Sequence, residues 1–276
     1  MAVERDEYEE KRCLLSMTDP EDRKANAERI PIRHVIDKLD RALARGDYDE
    51  GIRLLDYWIR EARATGDLDG ELSVQSEMMG LSRRVNDRER GSASVERGLE
   101  LLEKSGLSET VSGATILLNA ATTKKHFGDA AGAIPLYRRA EEVYLARLSP
   151  DDERLGGLFN NYALSLAEIG EREQAESYFT RALVLMDSLG AAGRTGVAVT
   201  SVNLADFYNA GNDPDKDEKI NATLERAWEA LDAPDCPRDG EYAFVASKCA
   251  PAFSYYGWFF VASELEKRMN EIHERN

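Results

Sequence analysis

Three asparagines, Asn119, Asn161 and Asn203, recur at intervals of 42 residues. An asparagine amide carries donors and an acceptor, so a row of them can bond both backbone groups of an extended peptide. Such a row holds main chain and demands little of its sequence. The same amides can instead pair neighbouring helices, and the residues alone leave both readings open. Thr122 lies one helical turn from Asn119, and Asp206 one turn from Asn203, so each pair shares a helix face. Asn160 adjoins Asn161, and Lys248 follows further along the chain. Lys125 and Arg84 are candidates for the edge of the same surface.

Other chemistry finds less support. Cys13, Cys236 and Cys249 are scattered, and His34, His126 and His273 form no close pairs with them, so the spacing of a zinc site is missing. Asp213, Asp215 and Asp217 have the rhythm of a calcium loop. Its sixth and twelfth places hold Glu218 and Leu224 rather than Gly and Glu, so acids favouring a helix N-terminus explain the run better. The Gly-rich stretch GAAGRTG, residues 190–196, follows a helical pattern and lacks the Lys-Ser/Thr of a phosphate loop, which makes it a helix end and connecting loop. No nucleophile elbow or His–Cys constellation is present. The expectation is a protein without catalysis, metal or cofactor.

The net charge of −16 disfavours nucleic acid and anionic lipid, because the phosphate attraction behind such contacts is reversed. No Lys/Arg run is dense enough to override it. No apolar stretch approaches a membrane span. The N-terminus MAVERDEYEEKRC has no apolar core of a secretion signal, which points to a cytoplasmic protein with free thiols.

The elements that position the asparagines follow a period. Gly46, Asn86, Gly128, Gly170, Gly211 and Gly257 are separated by 40, 42, 42, 41 and 46 residues, each between two helical patterns. Five residues after these marks come Gly51, Gly91, Ala133, Ala175 and Ala262. Nine after come Leu55, Val95, Tyr137 and Phe179, and seven before come Leu39, Met79, Ala121, Ala163 and Ala250. In the fifth unit Ile220, Leu224 and Ala227 are displaced by four residues, which the long turn NDPDKDEK absorbs. Small residues at fixed places let helix axes approach while large ones fill the gaps.

FNNYALSLAEIGEREQAESYFTRALVL and LLNAATTKKHFGDAAGAIPLYRRAEEVY carry a strong resemblance to the tetratricopeptide repeat (TPR) family, and TSVNLADFYNAG a weaker one. The spacing and the N-x-A core of the first helix resemble the kinesin-light-chain-like subclass. Gly51 and Gly91 replace the usual Ala, Lys124 the usual aromatic, and Pro135 falls within a second helix, where its place near Gly128 predicts a first-turn proline. The resemblance implies an all-α, right-handed solenoid of about six helix pairs over residues 32–276, with residues 1–31 as an N-terminal extension or cap. It also implies that Asn119, Thr122, Asn160, Asn161, Asn203, Asp206 and Lys248 line a concave groove for a protein or extended peptide. The carboxylate clamp of the co-chaperone members needs more Lys/Arg than Asn161, Asn203 and Lys248 supply. The expected function is a peptide- or protein-binding scaffold. The alternatives are a sensor similar to the bacterial TPR receptors for short peptides and a self-associating structural solenoid.

Overall fold

A left-handed residue followed by an aspartate makes three of the six repeat turns. In the computed structural model, which describes residues 29–274, Gly46, Asn86, Gly128, Gly170 and Gly257 have φ between 54° and 87°. Glycine enters this region without the Cβ clash other residues meet, and asparagine tolerates it. After Gly46, Asn86 and Gly128 the next residue is Asp47, Asp87 or Asp129, whose carboxylate accepts the N–H of Glu50, Arg90 or Gly132. One residue thus ends the first helix and its neighbour caps the second. Glu171 and Trp258 follow Gly170 and Gly257 and make no side-chain cap. Gly211 does not take the left-handed conformation, because the inserted residues open that turn to Ala210–Asp215.

Twelve helices result among the described residues, and they pair in chain order. α1 (Ile32–Ala44) pairs with α2 (Tyr48–Thr65), α3 (Leu68–Arg84) with α4 (Arg88–Ser105), and α5 (Val111–His126) with α6 (Ala130–Arg147). α7 (Glu153–Glu168) pairs with α8 (Arg172–Ser188), α9 (Arg194–Asn209) with α10 (Lys216–Asp232), and α11 (Gly240–Tyr255) with α12 (Phe259–His273). A short 3-10 turn, Gly190–Gly193, occupies the Gly-rich stretch before α9. Helices α1 to α6 form one compact unit and α7 to α12 another, divided between Leu148 and Ser149.

The periodic positions are the core. Leu39, Leu55, Met79, Ala121, Ala133, Tyr137, Ala163, Ala175, Phe179 and Ala182 are all at most 1% exposed. Burying a large side chain of this kind contributes roughly 1.5–3 kcal/mol. The displaced Ile220, Leu224 and Ala227 are buried too, so the register survives the insertion. Gly91 departs from alanine for a steric reason: a Cβ there would lie 2.4 Å from the Phe127 ring, which fills that space. Pro135 falls in the second turn of α6, not the first, so the Ala131 carbonyl loses its helical partner; both residues are exposed.

The expected extension at residues 1–31 lies outside the described residues as far as residue 28. Beyond it, Ile30 is buried and its N–H donates to Asp67 Oδ2 at 2.9 Å. The other oxygen of Asp67 caps α3 at Gly70, so one carboxylate fixes both the entering chain and a helix start.

Candidate functional site

Helix α7 has no charged residue between Leu155 and Leu166, nor has α9 between Thr195 and Ala205. Every residue in both stretches is buried. A helix without a charged face is covered on all sides, and its polar groups must find partners inside. Here Asn203 Nδ2 donates to Asn160 Oδ1 at 3.0 Å, and Asn160 Nδ2 donates to Asn161 Oδ1 at 3.1 Å. Asn160, Asn161 and Asn203 are 0%, 1% and 5% exposed. The groove placement expected for Asn160, Asn161 and Asn203 is therefore corrected. Asn160 and Asn203 are spent on pairing α7 with α9, Asn161 bonds Asn160 within α7, and none of the three presents surface to a ligand.

The rung has a counterpart in the other unit. Asn119 Nδ2 donates to Ser76 Oγ at 3.0 Å, and in both units the donor lies 43 residues after its acceptor. Ser76 and Asn160 each stand ten residues before their repeat mark. Ser201 holds that acceptor place in α9, but the donor place in α11 belongs to Lys248. The rung is not made, and the buried Ser201 Oγ has no hydrogen-bond partner. The hydroxyls of Ser165 and Thr200 are buried without partners as well. An unsatisfied buried hydroxyl is costly, so Thr200→Val, which keeps the shape, should raise stability by roughly 1 kcal/mol in urea melts. A destabilised variant would show that the hydroxyl is bonded.

The remaining expected residues divide by place. Thr122 is buried against Tyr137, their hydroxyls 3.2 Å apart between α5 and α6, so it joins the pair interface rather than a groove. Asn119 is half-buried, and its backbone carbonyl accepts the Thr123 hydroxyl at 2.7 Å. Asp206 is half-buried and accepts the Tyr256 hydroxyl at 2.7 Å. Burial, and then this carboxylate, push the Tyr256 hydroxyl pKa well up. Lys248 is half-buried, with its ammonium 5.5 Å from the centre of the Phe244 ring. Along α11, Phe244, Ser247, Lys248 and Pro251 are half-buried or exposed and follow one helical face. This first helix presents a polar and aromatic stripe where α7 and α9 are closed. Of the edge candidates, Arg84 is exposed and Lys125 is buried.

Two charge arrangements escaped the reading of runs. Glu71, 1% exposed, is gripped by Arg63 at 2.7 Å and by Arg97 at 2.7 and 2.8 Å. Burial pushes its carboxyl up, but the Arg97 and Arg63 hydrogen bonds outweigh this and hold it below the ordinary range. Lys38, Arg41, Arg45 and Arg53 border a hollow of about 490 Å³ between α1 and α2, where Glu50 is the only lining carboxylate. The signal was a spacing of three and four along α1, not a contiguous basic run.

Among the described residues, no group of three or more His, Cys, Asp or Glu side chains could hold a metal ion. No helix there is long and apolar enough to cross a membrane.

This geometry, consecutive antiparallel helix pairs with small residues at the close approaches, defines a TPR-like fold. The solved TPR-like repeats of a kinesin-light-chain protein from Podosopora anserina share it, with a TM-score of 0.51 at 15% identity, covering 74% of this chain and 95% of that one. A Q17M form of those repeats gives 0.52 at 15% identity, with the same coverage. BtubC from P. vanneervenii gives 0.48 at 17% identity, covering 90% of this chain and 92% of that one. No protein-family model and no curated protein matches the chain.

Proposed function

We propose that the protein is a non-catalytic scaffold that holds an extended segment of a partner protein against the open first helix α11. The reading rests on one observation. Lys248 occupies the register of the buried Asn161, yet stands on a surface stripe with Phe244, Ser247 and Pro251. Lys248 suits a carboxylate of the segment, and Phe244 an apolar side chain beside it. Asp206 belongs to the neighbouring first helix and holds Tyr256. In the other unit, Asn119 is the expected ligand-facing residue that keeps surface.

A photo-crosslinking residue at the exposed Ser247 should capture a discrete partner, and mass spectrometry should map the adduct to one extended stretch. The same residue at Val184, 64% exposed on α8, should not capture it. Lys248→Glu should abolish the Ser247 adduct while leaving the melting curve unchanged. Equal adducts at both positions, or an adduct indifferent to Lys248→Glu, would refute the assignment.

A further inference from the structure

The turn between α11 and α12 exposes three large aromatic side chains within six residues of chain. Tyr255, Phe259 and Phe260 are 61%, 68% and 80% exposed. The repeat does not ask for them. At the places of Phe259 and Phe260, counted from the mark, α2 has the less exposed Tyr48 and then Asp49, α4 has Arg88 and Glu89, α6 has Ala130 and Ala131, and α8 has Arg172 and Glu173, so only α12 has large apolar residues at both. At the place of Tyr255 the corresponding first helices end in Arg84, His126 and Glu168. Concentrated exposed apolar surface of this kind marks an interaction site, and aromatics supply much of the energy at such sites.

The border of this surface selects the partner. Trp258 Nε1 donates to Asn221 Oδ1 on α10 at 3.4 Å, which places the turn beside that helix. Asp217, Glu218 and Glu225 lie four, three and four residues from Asn221, on the same face, and all three are exposed. Their carboxylates have no ion-pair partner among the described residues, whereas Asp213 and Asp215 of the preceding turn are both within 3.5 Å of Lys219. An aromatic surface rimmed by unneutralised carboxylates is complementary to apolar residues flanked by Lys or Arg. It repels phosphate and anionic lipid.

We propose that the α11–α12 turn and the adjoining face of α10 form a docking surface for a basic amphipathic helix of another protein. Its apolar face covers Tyr255, Phe259 and Phe260, and its cations meet Asp217, Glu218 and Glu225. Tyr255 continues the face of α11 that carries Phe244, Lys248 and Pro251, whereas Phe259, Phe260 and the α10 carboxylates lie outside α11, and neither proposal needs the other.

The test is titration of the full chain with a leucine–lysine amphipathic helical peptide and with its leucine–glutamate counterpart, followed by tryptophan fluorescence and calorimetry. The lysine peptide should bind and the glutamate peptide should not. A Phe259→Ser/Phe260→Ser variant should weaken binding by at least about ten-fold, and a triple Asp217→Asn/Glu218→Gln/Glu225→Gln variant should weaken it comparably and flatten its salt dependence. Glu96→Gln, an exposed acid on α4, should leave binding unchanged. All these positions are exposed, so the Phe259→Ser/Phe260→Ser and Glu96→Gln variants should melt with wild type, while the triple variant, which gives up the two first-turn acids of α10, should melt slightly lower and stay folded. The proposal fails if the glutamate peptide binds equally or if either multiple variant binds like wild type. Sedimentation showing a self-associated chain that Phe260→Ser dissociates would also overturn it, because a second copy would then be the occupant.

Discussion

Replacing Asn160 by alanine should lower the stability of the chain by about 2–4 kcal/mol. The side chain is fully buried, accepts from Asn203 and donates to Asn161. Alanine removes both bonds and leaves the buried Asn203 Nδ2 without its acceptor, which alone costs roughly 1–3 kcal/mol. Urea denaturation followed by circular dichroism gives the midpoint. Lys248→Ala, on the surface stripe, should stay within about 0.5 kcal/mol of wild type in the same experiment. An Asn160→Ala midpoint equal to wild type would mean that this amide does not support the interface between α7 and α9. A consequence follows for any search for the ligand surface: a combined change of Asn119, Asn161 and Asn203 to alanine should lower stability, and lost binding in that variant would not report on contact with a ligand.

A second large effect is expected at Phe179. Its ring is fully buried, and its centre lies 5.7 Å from that of Phe207 on α9. Phe179→Ala removes the ring from a layer that has little freedom to collapse, because Ala175 and Ala182 on either side already hold the helices close. The cost should be about 3–5 kcal/mol. Val184→Ala, on the exposed side of the same helix, is the control and should change stability by less than about 0.5 kcal/mol. If the two variants melt alike, Phe179 is not the residue that fills the layer.

The helix pairs were legible because their signals are local and repeat. A residue fit for the left-handed region, an aspartate after it, and small and large residues at fixed offsets together specify turn, cap and core. Gly211 shows the limit: its alignment was right, but its conformation followed the length of the turn, which no single residue encodes. The candidate surface was less legible. Asn160 and Asn161 read as polar and hence accessible, and helical periodicity cannot tell a wet face from a covered one when the polar residues are short and can bond each other. A better signal was present in the neighbouring residues. LGGLFNNYALSL and TGVAVTSVNLA contain no charge over about three helical turns, whereas α11 carries Lys248 in the corresponding place. The exposed aromatics at 255, 259 and 260 were hidden for the opposite reason, since a sequence places hydrophobic residues inside by default.

The rungs from Asn119 to Ser76 and from Asn203 to Asn160 also bear on how such a chain can grow. Donor and acceptor are 43 residues apart in each, one residue more than the 42 between successive asparagines. Asn160 and Asn161 give α7 both places, whereas the acceptor place of α5 is Leu118 and the donor place of α3 is Glu77. A gene that lengthens by copying the α7–α8 pair therefore inherits, with the copy, an acceptor for the helix that follows and a donor for the helix before. A copy a few residues shorter or longer in its helices would inherit the same amides turned away from each other, and bury them unsatisfied. Extra length is harmless only where neither partner of a rung is displaced along its helix, and the turn after α9 is such a place.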